Sequence, residues 1–155
     1  MARGSRDVLR LATAAPEHAE QVAVVQWAEL VTVPGVGILG RYLFAVPNGS
    51  YLGREAKTRA IVMRKLKAAG LKPGVPDLFL ALPRGAWHGL FIEMKRRGGR
   101  TSPEQLEWCE RLRRVGFAAD VCEGADAARA VIRRYLAAGP GRYEERVQQQ
   151  GVSHE

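Results

Sequence analysis

Cysteine is nearly absent from this 155-residue chain, which has only Cys109 and Cys122, with no second pair and no clustered histidine. That excludes a disulfide framework and a cysteine-based zinc centre, and it fits a reducing compartment. Long apolar runs are missing too. The least charged stretch, 21–40, still holds Gln21, Gln26, Glu29 and Pro34, unlike a membrane span of about 20 apolar residues. Arg10 breaks the short N-terminal apolar stretch that a signal peptide would need, so the expectation is a soluble, cytoplasmic protein. Internal repeats are absent. Acid is scarce as well: 16 Asp and Glu face 24 Lys and Arg, a net charge of +8 whose field attracts polyanions. Nucleic acid is the leading class of partner. The three histidines, His18, His88 and His154, are scattered, and His88 beside Trp87 reads as a surface residue or one at the rim of a DNA site.

Hydrophobic residues at 46% and charged residues at 26% are ordinary for one globular domain with a core of its own. Residues 1–15 read as a flexible basic arm and 139–155 as a polar tail, because neither carries a sustained apolar period. The working domain is 16–138. Within it, 17–31 reads as a helix with Val24, Ala28 and Val31 at helical spacing, broken by Pro34-Gly35. A strand is expected over 41–46, stopping at Pro47-Asn48-Gly49. A second helix, 54–69, carries Arg54, Lys57, Arg59, Arg64, Lys65 and Lys67 against the single acid Glu55, with Ala56, Ala60, Ile61, Met63 and Leu66 available for a buried side.

Two short apolar runs, 77–82 and 90–95, flank the Gly- and Pro-containing stretch 83–89 and predict an antiparallel hairpin. Ser102-Pro103-Glu104-Gln105 starts the next helix, with Ser102 as N-cap, Pro103 at the first helical position and Leu106, Cys109 and Leu112 on one face. A strand over 117–122 and a helix over 125–138, with Ala128, Val131, Ile132, Tyr135 and Leu136 inward, complete the domain.

Side chains alternate along a strand, so Glu93 and Lys95 share one face while Ile92 and Met94 take the other. A turn about residues 85–86 sets Asp77 opposite Glu93 at the open end of the hairpin. Two carboxylates and a lysine therefore converge. Burying two adjacent carboxylates without a cation forces one to hold a proton, and a divalent metal is the natural stabiliser. Mg²⁺ suits such oxygen donors, keeps several waters and takes a substrate phosphate, and the Met94 carbonyl is a further candidate ligand. Pro76 stiffens the approach to Asp77. The plainer alternative is that Asp77 caps a turn and Glu93–Lys95 is a solvated pair.

The run Gly74-Val75-Pro76-Asp77-Leu78-Phe79-Leu80, followed by Glu93-Met94-Lys95 and then Ser102-Pro103-Glu104-Gln105, resembles the virus-type replication-repair nuclease (VRR-NUC) family of the PD-(D/E)XK nuclease superfamily. The resemblance extends from Glu17 to Leu136 and takes in Glu17-x-x-x-Gln21 and the Pro47-Asn48-Gly49 turn. It implies an α/β, restriction-endonuclease-like core, a mixed central sheet with a β-hairpin flanked by helices. It further implies that Asp77 and Glu93 bind metal, that Lys95 orients or activates the attacking water, and that Glu17 approaches the metal, with Glu20 as the competing choice. Gln105 matches a glutamine that would contact the scissile phosphate or the water, although Ser102-x-x-Gln105 is equally a capping box.

Metal-assisted phosphodiester hydrolysis is the chemistry such a centre supports, with Mg²⁺ as cofactor, Mn²⁺ able to substitute, and the metal count open. Asn48, Arg54, Lys57, Arg64, Lys65 and Lys67 are the expected nucleic-acid contacts. No base-reading cluster stands out, so shape should govern target choice. The resemblance implies a homodimeric endonuclease acting on branched DNA, a four-way (Holliday) junction resolvase in replication, recombination or repair, in a bacterial cell or phage-infected host. A non-catalytic nucleic-acid-binding module and a restriction-type nuclease are the rivals.

Overall fold

The computed structural model describes residues 17–47 and 56–141. Helix α1 (Glu17–Ala28) buries Val24 and Ala28, one turn apart, and ends three residues before the expected limit. The chain then forms a small antiparallel pair, β1 (Thr32–Val33) and β2 (Gly37–Ile38), turned at Pro34-Gly35 with Gly35 at φ 75°. The sequence pattern shows this stretch only as a break, because two-residue strands carry no measurable alternation. A 3-10 turn, Leu39–Arg41, leads into β3 (Leu43–Ala45), shorter at both ends than expected.

Helix α2 (Ala56–Ala68), strands β4 (Leu78–Leu80) and β5 (Leu90–Lys95), helix α3 (Pro103–Arg114), strand β6 (Ala118–Glu123) and helix α4 (Gly124–Leu136) complete the order. The main sheet runs β3-β4-β5-β6, antiparallel at the first two junctions and parallel at the last, with α3 as the crossover that parallel pairing requires. This is the expected mixed sheet. The hairpin closes where its glycine and proline predict: Arg84 and Trp87 exchange backbone hydrogen bonds of 3.1 and 2.9 Å around Gly85-Ala86, and Gly85 takes φ 53°, which no side-chain-bearing residue adopts readily.

Each face of the sheet has its own cover. Leu78, Leu80, Leu90, Ile92, Met94 and Cys122 pack under α1 and α4 in the larger core. Phe91, Phe117, Ala119 and Val121 pack under α3 with Trp108, Cys109 and Leu112. The inward stripe of α3 is Gln105, Trp108, Cys109 and Leu112, at helical spacing, so Leu106 lies off it and is exposed. The expectation that Leu106 faces inward is thus corrected, because a polar residue holds its place over the sheet. Helix α2 also departs from expectation. Ala60 and Ile61 are exposed, Ile61 by 49%, while Val62, Met63 and Leu66 are half-buried and the Ala56 side chain lies outside the described residues; α2 meets the rest of the protein through its C-terminal end. Among the described residues no helix is long and apolar enough to cross a membrane.

Candidate active site

Asp77 owes its position to the loop before it. Gly74 sits at φ 81°, and a Cβ there would come within 3.1 Å of the Glu104 backbone and of Trp108. Trp108 donates from its indole nitrogen to the Pro73 carbonyl at 3.0 Å, which ties the loop to α3. Buried Pro76 then delivers Asp77 into the sheet, where the Asp77 carbonyl accepts from Val46 N–H at 2.8 Å. Its carboxylate Oδ2 accepts from Met94 N–H at 2.9 Å. Asp77, only 5% exposed, therefore links β3, β4 and β5. Sequence patterning misses Trp108, although its place three residues after Gln105 on the inward face of the helix was the available signal.

Glu93 is 1% exposed and Lys95 7%. Lys95 Nζ donates to Glu93 Oε1 at 2.5 Å, and Gln105 Nε2 donates to the same oxygen. Oε2 of Glu93 is buried without a hydrogen-bond partner. Burial pushes the Glu93 carboxyl from its ordinary value up to about 7; the hydrogen bond from Lys95 opposes this, while the negative charges of Asp77 and, less strongly, Glu17 add to it. The pair is therefore not the solvated surface contact that the plainer alternative describes.

Gln105 has two partners. Ser102 N–H donates to its Oε1 at 2.9 Å and Gln105 N–H donates to Ser102 Oγ at 3.3 Å, which completes a capping box at the start of α3. The same side-chain amide turns its nitrogen to Glu93. The capping box is thus present, and the free end of the same amide meets Glu93.

The two candidate acids of α1 also separate. Glu20 Oε2 accepts from Ala125 N–H at 2.7 Å, across 105 residues, and so caps the positive end of α4. Glu17, half-buried, is the one close enough to Glu93 to act on its charge. Replacing Glu20 with alanine will therefore cost about 1 kcal/mol of stability, read from denaturant unfolding, and leave the Asp77–Glu93 grouping in place.

Of the expected nucleic-acid contacts, Asn48 and Arg54 lie outside the described residues, and Lys57 is placed only by its helical backbone. Arg64, Lys65 and Lys67 are exposed. Leu66 and the stretch 69–72 after α2 line a cavity of roughly 330 Å³ with Val46, Pro47 and Val75, which places the C-terminal end of this basic helix near the end of the sheet where Asp77 leads into β4.

The Met94 carbonyl points to the same side of β5 as its N–H, toward Asp77, because both groups of a strand residue face one neighbour. Among the described residues no three His, Cys, Asp or Glu side chains gather to hold a metal by themselves. The donors at hand are the Asp77 and Glu93 carboxylates and that carbonyl. Such hard oxygen donors leave positions for water and phosphate, as Mg²⁺ prefers.

The chain matches the family model of the VRR-NUC domain over residues 15–126. A solved structure described as a VRR_NUC domain protein superposes with a TM-score of 0.69 at 30% identity, covering 83% of this chain and 94% of that one. No curated protein matches. The same mixed sheet and flanking helices are therefore shared with a solved relative, and the family match takes in Asp77, Glu93, Lys95 and Gln105. The domain implies a nuclease-type function and binding of nucleic acid. On sequence and fold together, the chain belongs to the VRR-NUC family.

Proposed function

We propose that this protein is a divalent-metal-dependent DNA endonuclease that selects branched DNA by shape, with a four-way junction as its substrate and a homodimer as its working form. The observation that carries the reading is the buried, unpartnered Oε2 of Glu93 beside Asp77. A buried carboxylate oxygen without a donor is destabilising, and a cation bound by Asp77, Glu93 and the Met94 carbonyl relieves it. The residues thus fit Mg²⁺, with Mn²⁺ as a substitute. When bound, the metal supplies Lewis-acid chemistry, lowering the pKa of water and offsetting phosphoryl charge.

The chain's own groups do the rest. Lys95 holds Glu93 through one N–H and has two more to orient the attacking water toward phosphorus. Gln105, fixed by the capping box, keeps the Glu93 carboxylate from rotating. Glu17 adds negative charge on the α1 side and strengthens the demand for a cation. A C2 dimer would present two such centres to the symmetric strands of a junction.

The test is cleavage of a four-way junction, flaps, splayed arms and plain duplex at matched salt, with and without Mg²⁺, with Asp77→Ala as control. Paired symmetric nicks on the junction, absent in the variant, are expected. Equal cutting by Asp77→Ala removes this centre, and salt-sensitive binding without any cleavage reduces the protein to a binding module. Alanine at Arg64, Lys65 and Lys67 will weaken DNA binding and flatten its salt dependence, by about 0.9 in the log–log slope for each phosphate no longer neutralised, with little change in rate at saturating DNA. Titrating affinity against salt checks it.

A further inference from the structure

Four phenylalanines form a row across the main sheet on its α3 face: Phe44 on β3, Phe79 on β4, Phe91 on β5 and Phe117 just before β6. Phe79 stacks on Phe91 with ring centres 4.3 Å apart, Phe44 stands edge-on to Phe79 at 5.6 Å, and Phe117 meets Phe91 at 5.5 Å. Helix α3 covers the β6 end of this row, where Phe91 and Phe117 join its core. At the other end Phe44 remains 51% exposed, on an edge strand where a bare aromatic invites aggregation. Phe79 beneath it is half-buried.

Phe44 lies opposite Phe79, and Phe79 is two residues from Asp77 on the same face. With strands about 4.8 Å apart and about 3.4 Å of rise per residue, Phe44 stands roughly 8 Å from Asp77. That is on the order of one nucleotide's reach. The exposed cations of α2 bound the same end of the sheet. A flat apolar ring, braced by a second ring and set beside the Asp77–Glu93 grouping near the end of the sheet that a cationic helix adjoins, matches a nucleobase better than a protein side chain. Every base offers a π-face, and its backbone carries the charge those cations attract.

We infer that Phe44, braced by Phe79, is a stacking site for a base one nucleotide from the scissile phosphate, so the strand to be cut must offer a base outside its helical stack. This rests on the nuclease reading above and deepens it, because branch points supply such bases and continuous duplex does not. Phe44 is here a positioning and selectivity residue.

The experiment measures binding of full-length, metal-free protein in EDTA to a single-stranded oligonucleotide carrying 2-aminopurine, to a four-way junction with 2-aminopurine at the branch, and to blunt duplex. Phe44→Ala is expected to weaken binding of the first two roughly tenfold, to remove the stacking quench of 2-aminopurine and to leave duplex affinity unchanged. Phe44→Trp restores both readouts. Equal loss on all three DNAs, no loss on any, or a change in oligomeric state on gel filtration without loss of the quench overturns the inference. These readouts need no cleavage. If wild-type protein cuts junctions and Asp77→Ala does not, while Phe44→Ala binds as wild type, the stacking site falls and the nuclease reading stands; quenching without cleavage gives the reverse.

Discussion

Glu93→Gln will make the metal-free protein more stable at neutral pH while sharply reducing the proposed nuclease activity. In the folded chain the Glu93 carboxyl is raised from 4.5 to about 7, chiefly by burial. Below pH 4.5 it is protonated in both folded and unfolded chains and costs nothing. Between pH 4.5 and 7 the unfolded chain ionises while the fold holds its proton, so stability falls as pH rises, and above 7 the full penalty, about 3 kcal/mol, persists. Glutamine keeps an acceptor for Lys95 and Gln105 and removes the charge. Its unfolding midpoint without metal should exceed the wild type's by several degrees at pH 8, and the two should converge near pH 4. Added Mg²⁺ should raise the midpoint of wild type only. Cleavage should drop by on the order of a thousandfold, because charge at phosphorus loses its counterweight. A wild-type protein that gains stability between pH 4.5 and 7 in EDTA would refute the assignment.

Lys95→Met will leave DNA affinity nearly intact and cut the single-turnover rate by roughly 10²- to 10⁴-fold. Lys95 is 7% exposed and donates to Glu93, so it is poorly placed to grip DNA along the backbone. Methionine keeps the length and apolar stem, which limits packing loss. The substitution removes the ammonium that restrains Glu93 and directs water. Single-turnover rates and equilibrium binding, measured on the same junction, separate the two. A fall in affinity as large as the fall in rate would make Lys95 a phosphate contact.

Much of this arrangement was legible from the chain. The alternation in Ile92-Glu93-Met94-Lys95 and the position of Gly85 suffice to set Asp77 beside Glu93, and the observed pairing of Leu78 with Ile92 has that register. Local patterns carry such information because a one-residue slip would expose Ile92 and Met94. The choice between Glu17 and Glu20 was not legible, since it depends on where the first turn of α4 arrives from the far end of the sequence. Nor was the fate of Ile61, whose helical spacing looks like a buried stripe, because burial needs a second surface that the sheet does not offer α2. For Gln105 the pattern was visible and its second contact was not, because that contact depends on the rotation of α3 over β5.

The shared amide of Gln105 ties the candidate site to the completeness of the fold. Its orientation exists only once the first turn of α3 has wound, and Asp77 finds its backbone donor only once β5 has paired. A partly folded chain therefore lacks both the Gln105–Glu93 contact and the Asp77 hydrogen bond, and the buried grouping exists only where helix and sheet are complete together.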